Sequence, residues 1–196
     1  MRVLLFRHGR TAWNAERRYQ GCSDIPLSPE GERALRPHPF RPAAVYVSPL
    51  VRARRTAELL FPGVPHIVVE DFREMDFGRF EGRTADEMER DDPAYRTWVE
   101  GGCVGRCPGG ESLAEFEARV TAAFCRVMEE AEGDVVIVAH GGVQMAIPAR
   151  FARPPRGYFG WQTPCGEALL FDAARWTEER VLEAAEGAGN FPEGVV

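Results

Sequence analysis

Four short stretches, far apart in the chain, carry residue types that could do chemistry together. The first is Arg7-His8-Gly9, which ends the apolar run Val3-Leu4-Leu5-Phe6 and places a potential imidazole nucleophile beside a guanidinium. Thr11 and Asn14 follow as short polar groups able to cap a helix or to reach the same ligand. The second stretch is Ser48-Pro49-Leu50-Val51-Arg52-Ala53, where Arg52 would stand in the first turn of a helix, a favourable place to meet an anion. A third, Phe72 to Gly82, offers Glu74, Asp76 and Glu81 as carboxyl groups able to move a proton. The fourth, Val138-Ala139-His140-Gly141-Gly142, repeats the first: apolar strand, histidine, glycine. Brought to one place, two imidazoles and two guanidiniums would surround a dianionic tetrahedral group.

Such a meeting requires elements that end at one edge. Short apolar runs bounded by turn signals predict strands at about 2–6, 43–47, 67–69, 135–139 and 168–172, alternating with helical patterns. That alternation implies an α/β domain of three layers, α/β/α, with a mostly parallel sheet. In open α/β sheets ligands gather beyond the carboxyl ends of the strands, where His8 and His140 both fall. Ser28 with Pro29 predicts the start of a short helix that the prolines at 37, 39 and 42 must end. Thr84 to Glu87 and Ser112 to Glu115 fit capping boxes, so helices should begin at both places. The second carries Leu113, Phe116, Val120, Phe124, Val127 and Met128 as one apolar stripe, with Cys125 beside it. Pro148 predicts a kink or an early end in the helix after His140, and residues 173–186 would pass as helix on propensity. Asp91 to Gly110 reads as an insertion with exposed aromatics, so a lid is expected at about 75–111 of a single domain spanning 1–196. His38 and His66 sit among prolines as ordinary loop residues, and the tail from Gly187 is expected to fray.

A chain of 196 residues with 28% charged side chains suits one well-cored domain, and a formal net charge of -6 argues against a general nucleic-acid partner. Five cysteines without repeating spacing imply reduced thiols in a cytoplasmic protein. Cys103 and Cys107 lack a second ligand pair, so no metal is expected. No stretch approaches a membrane span.

Arg7-His8-Gly9-x-Thr11-x-x-Asn14 followed by Gln20-Gly21 resembles the histidine phosphatase superfamily, which includes the phosphoglycerate mutases and the α-ribazole-phosphate phosphatases. Ser48-Pro49-Leu50-x-Arg52-Ala53-x-x-Thr56-Ala57, Glu74-x-x-x-Gly78-x-x-Glu81-Gly82 and Val138-Ala139-His140-Gly141-Gly142 extend the resemblance in the family's order. The segment Tyr19 to Leu27 looks like that of the small phosphatases. The resemblance implies a phosphoglycerate mutase-like fold and a phosphomonoesterase working without metal or cofactor through a phosphohistidine on His8. Glu74 would supply the proton, with Asp76 and Glu81 as rivals. Arg7, Asn14, Gln20, Gly21, Arg52, His140 and Gly141 would hold the phosphoryl group, His140 as a donor. Arg10 would add positive charge at the rim, and Tyr95, Trp98 and the Tyr158–Trp161 loop would choose the alcohol. A second strand near Val181-Leu182-Glu183 is also implied. The expected partner is a small phosphorylated metabolite, and the oligomeric state is left open, a homodimer included. Two other readings stand beside this one: mutase-type phosphoryl transfer, and a binding module that kept the cradle and lost turnover.

Overall fold

A computed structural model describes residues 1–185, so the expected fraying from Gly187 lies outside the described residues. Seven strands, β1 (Arg2–Arg7), β2 (Val45–Val47), β3 (His66–Val68), β4 (Val135–Ala139), β5 (Ala152–Arg153), β6 (Ala168–Asp172) and β7 (Leu182–Ala184), form one sheet in the order β3-β2-β4-β1-β6-β7-β5. β1 pairs with β4, β2 with β3 and β4, and β5 with β7, all in parallel, while β6 runs antiparallel to β1 and β7. The sheet is therefore mixed and mostly parallel.

Alternation along the strands sends side chains to two cores, as the period-2 geometry of a strand requires. Val3 and Leu5 of β1 and Val135 and Ile137 of β4 join Phe116, Val120 and Phe124 of α6 (Leu113–Glu130) and Val143 and Ile147 of α7 (Gly141–Phe151). Leu4, Phe6, Val136 and Val138 face the other way, against Ala53, Ala57 and Leu60 of α3 (Val51–Leu60). Helices on both faces make the three layers. Parallel register then does the positioning: Val3 lies opposite Val135 and Arg7 opposite Ala139. Both strand-His-Gly motifs consequently end level. The His8 N–H donates to the Ala139 carbonyl at 2.9 Å and the Ser48 N–H to Val138 at 3.1 Å, tying three chain segments at one rim.

Several sequence expectations change. Thr84 and Ser112 do form capping boxes, for α4 (Ala85–Asp91) and α6, and Ser28 does cap a short helix, Pro29–Ala34. However, α7 runs through Pro148 without ending early. Val143 to Pro148 are all buried, and that packing outweighs a missing N–H. His66 is the first residue of β3 rather than a loop residue. The 75–111 segment is a 3-10 turn (Gly78–Phe80), α4 and α5 (Pro93–Glu100), and its Tyr95 and Trp98 are not exposed but packed with Phe80 and Phe116 in the core. The strand implied near Val181-Leu182-Glu183 is present as β7, and of the helical propensity after residue 173 only one turn among the described residues, Trp176–Glu179, is realised, because Leu182 is buried beside β6. Among the described residues no helix is long and apolar enough to cross a membrane.

Candidate active site

A cleft of about 330 Å³ opens at the carboxyl end of β1, lined by Arg7, His8, Asn14, Gln20, Gly21, Arg52, Glu74 and Gly141. His140 lies just beneath, its ring edge-on to His8 with centroids 5.2 Å apart. All nine residues expected from the sequence are thus brought together.

His8 is buried, and its Nδ1 lies 2.7 Å from the Gly9 carbonyl oxygen. A carbonyl only accepts, so Nδ1 carries the proton and Nε2 keeps its lone pair. Burial first, then the charge of Arg52 and that of Arg7, lower the His8 pKa to about 3, against the pull of the Gly9 bond. The imidazole is therefore neutral at ordinary pH, with an unprotonated nitrogen. The Gly9 N–H donates to Thr56 Oγ1 at 2.9 Å, and Thr56 Oγ1 donates to the Arg52 carbonyl at 2.7 Å, which fastens the turn after His8 to α3.

His140 is fully buried, and burial followed by the nearby Arg52 and His8 holds its pKa well below the ordinary value. The ring is therefore neutral and is not one of the site's cations. Its Nε2 is 2.6 Å from Ser48 Oγ, which itself accepts from the Leu50 N–H. The contact admits either direction; when the Ser48 hydroxyl donates to Nε2, the proton of the neutral ring sits on Nδ1, which has no partner among the described residues. In that tautomer His140 presents a donor.

Arg7 donates through Nη1 to the Thr163 carbonyl at 2.8 Å, and its buried Nε has no partner among the described residues. Nε and Nη2 remain as a side-on fork for an oxyanion. Arg52 stands in the first turn of α3, as expected. Its buried guanidinium crosses to the 21–23 loop and donates to the Gly21 and Ser23 carbonyls, each at 2.7 Å, with Nε again unpartnered. Of the six buried side-chain nitrogens without a partner among the described residues, three (Arg7 Nε, Arg52 Nε and His140 Nδ1) belong to this site. Buried donors normally find acceptors, so this concentration marks a place built for an anion. Thr11 caps α1 (Ala12–Ala15), and Asn14 Oδ1 closes the capping box by accepting from the Thr11 N–H, which leaves the Asn14 amide NH₂ for the cleft, while Gln20 Oε1 lies 3.1 Å from Thr11 Oγ1.

Among the three candidate acids, Glu74 is the one lining the cleft. Its Oε2 accepts from the Gly142 N–H at 3.1 Å and Oε1 from the Met75 N–H at 3.0 Å. Glu81 instead accepts from the backbone of Cys22, Ser23 and Phe77 and from Ser23 Oγ, and Asp76 caps the turn at Gly78. Cys22, Asp76 and Glu81 do have metal-ligand spacing, but the bonds of Glu81 fix the loop that Arg52 clamps. Gly21 in that loop has φ +50°, and a Cβ there would lie 2.0 Å from Glu81.

Arg10 does not reach the rim of the cleft. It lines a separate cavity with Glu30, Cys165 and Glu167, because its chain turns outward after Gly9. The cleft wall instead carries Arg17 and Arg18, of which Arg18 is paired with Glu16 and Glu87. Reading by motif also passes over the supporting residues. Ser48 and Thr56 stood inside a motif without a role. Gln144, buried in α7, donates to the Leu5 carbonyl and accepts from Thr163, holding the loop on which Arg7 leans. Arg119 of α6 donates to the Asp71, Arg73 and Glu74 carbonyls and pairs with Glu111, fixing the acid's backbone.

Comparison with known proteins agrees with this geometry. The probable phosphoglycerate mutase GpmB of Salmonella typhi is 37% identical over 150 residues, covering 72% of this chain and 70% of the relative. A phosphoglycerate mutase structure from Thermus thermophilus superimposes with TM-score 0.68 at 36% identity, covering 89% of this chain and 94% of the other. An Escherichia coli K-12 protein described as a candidate alpha-ribazole-5'-P phosphatase shares the fold at TM-score 0.81 and 24% identity, covering 98% and 99%. The model of the histidine phosphatase superfamily, branch 1, matches residues 3–181, and with the rim just described carrying that family's motifs on one sheet edge, this chain belongs to the histidine phosphatase superfamily.

Proposed function

We propose that this enzyme is a phosphomonoesterase acting on a small phosphorylated metabolite through a phosphohistidine on His8. The observation that carries the reading is the locked tautomer: Nδ1 held by Gly9 and Nε2 unprotonated beside two unpartnered guanidinium nitrogens. Nε2 attacks phosphorus as the bond to the ester oxygen breaks, and the charge on the equatorial oxygens meets Arg7, Arg52, the His140 Nδ1–H and the amino end of α7. Glu74, as the acid, gives its proton to the departing alkoxide. Water then attacks the phosphohistidine, the Glu74 carboxylate takes a proton from that water, and the N–P bond breaks to restore the neutral ring. Charge stabilisation is supplied by side chains, so the scheme needs no metal.

Mutase-type transfer is the second reading, supported by the names of the relatives from Salmonella typhi and Thermus thermophilus. Incubation with 3-phosphoglycerate and a bisphosphate primer separates the two. Release of inorganic phosphate, with an acid-labile phosphoenzyme trapped on His8 and chelator without effect, is the expected result. Rapid isomerisation without release would replace the hydrolase reading with the mutase.

A further inference from the structure

Two spaces meet at Glu74. One is the phosphoryl cleft, and the other is a second cavity of about 520 Å³, walled by Phe77, Trp98, Phe116, Met145, Tyr158 and Phe159, where Arg7 and Glu74 are the only charged residues among those described. Surplus charge lies on the cleft side. There four guanidiniums, of Arg7, Arg17, Arg18 and Arg52, face one carboxylate, that of Glu74. A phosphoryl dianion balances Arg7 and Arg52, and Arg18 is neutralised by Glu16 at 2.7 Å and Glu87 at 3.0 Å. Arg17 is left over. Its guanidinium has no hydrogen bond or ion pair among the described residues, the neighbouring Glu16 being taken by Arg18.

The backbone fixes this unpaired cation at the cleft wall and strains to do so. The Arg17 N–H donates to the Asn14 carbonyl at 3.3 Å and the Arg18 N–H to that of Trp13 at 2.9 Å, while Arg18 Nη1 fastens the turn to the Gly82 carbonyl at 2.7 Å. This turn holds Arg17 in the left-handed conformation, φ +57°, which glycine would adopt without strain. The side chain is exposed, so packing does not offset the cost. A strained residue held beside a reaction site points to a use for its side chain.

We infer that Arg17 receives a second anionic group of the substrate, a carboxylate or a phosphate borne by the alcohol, through the fork that a guanidinium offers to either. Arg17 is then a specificity-determining residue, separate from Arg7 and Arg52, which hold the transferred group. The inference rests on the phosphomonoesterase reading and narrows its substrate class.

Pairs of alkyl esters matched in size and in the basicity of the leaving group, and differing in that one charge, test it. They are 2-phosphoglycolate against 2-hydroxyethyl phosphate, 6-phosphogluconate against sorbitol 6-phosphate, and propane-1,3-diol bisphosphate against 3-hydroxypropyl phosphate; the first two report a carboxylate and the third a phosphate. Phosphate release is measured with the intact chain and with Arg17→Gly, which suits the left-handed backbone and should keep its urea midpoint. In at least one pair the ester with the second charge should lead in kcat/KM by about tenfold, and Arg17→Gly should bring that ratio to about two or less. A ratio below about three in every pair, a preference that Arg17→Gly leaves in place, or a urea midpoint that drops in the variant overturns the inference while hydrolysis stands. Failure to release phosphate from every ester, with no phosphoenzyme formed, would instead remove the phosphomonoesterase reading and the inference with it.

Discussion

The two ends of the cleft are built on opposite plans. At the phosphoryl end, His8, Arg7 and Arg52 are each held by a backbone carbonyl or by a hydroxyl one step away, and the parent segments are the level ends of β1 and β4 and the start of α3. The apolar end is walled by single side chains from α5, α6, α7 and the turn at Tyr158–Trp161, held by packing with few directional bonds. Directional bonding demands particular residue types at particular spacings, whereas packing demands only apolar volume. On that physical ground the first end should tolerate almost no substitution, and changes at the second should act in graded steps.

Substitutions chosen at each end should break that contrast if it is wrong. The largest effect is expected at His8: His8→Gln removes the attacking nitrogen and should lower turnover more than about 10³-fold on every ester, with no phosphoenzyme trapped. Comparable turnover on any ester would show that the two ends do not share one reaction. Next comes the junction. A Cβ at Gly142 would lie 2.2 Å from Glu74 Oε1 and 2.9 Å from Phe116, so Gly142→Ala must push the carboxylate aside. Losing a positioned acid costs about 10² to 10⁴ on alkyl esters and much less on p-nitrophenyl phosphate, whose leaving group needs no proton. Equal losses on both classes, with an unchanged melting temperature, would move the acid away from Glu74. Arg7→Ala is a smaller step, since a charge-assisted bond contributes about 1.5–3 kcal/mol and its loss should reduce kcat/KM about 10- to 150-fold for every ester alike. A loss confined to aromatic esters would contradict the assignment of Arg7 to the phosphoryl end.

The same contrast decides what could be read before the fold was known. His8, Arg52 and His140 announced themselves because each follows a strand signal and stands in a dense motif. The parallel register that makes β1 and β4 end together is itself foreshadowed by two apolar runs of the same kind. The tautomer of His8 needed only a nearby carbonyl. By contrast, Gln144 and Arg119 act on segments far away in sequence, Leu5 and Thr163 for the one and Asp71 to Glu74 for the other. Local patterning carries no trace of such partners. Arg10 and Arg17 differ by the direction of one turn, and Arg17 reaches the cleft wall with φ +57°, a conformation that residue type does not foretell. Tyr95 and Trp98 read as a lid's exposed aromatics because an insertion rich in glycine and proline hides the helix, α5, that turns them inward. Of the residues that the resemblance implies would choose the alcohol, Trp98, Tyr158 and Phe159 do line the second cavity, whereas Tyr95 lies behind them with its hydroxyl against that of Tyr19.

Acid sensitivity gives the finest test, because the two ends differ in what they can titrate. His8 and His140 are both neutral in the folded protein, with His8 depressed to about 3 by burial and by Arg52, and His140 lowered for the same reasons. Unfolding returns both toward about 6.5, so the unfolded chain binds more protons below that pH and stability falls as the pH drops from 6.5 toward 3. Each imidazole contributes a limiting slope of about 1.4 kcal/mol per pH unit once the unfolded state is protonated. His38, half-buried against Phe6 and Phe61 and also lowered, adds in the same direction from outside the site. Urea midpoints measured from pH 7 to 5 should therefore fall steadily, and His140→Gln should flatten the decline by about one histidine's share. Added inorganic phosphate should raise the midpoints, most at pH 7 where its dianion is abundant, since a dianion against the two guanidiniums is bound by the folded state alone. If stability were level across that range, or if His140→Gln left the slope untouched, the buried pair would not be neutral, and the unprotonated nitrogen on which the phosphoryl end depends would have to be sought elsewhere.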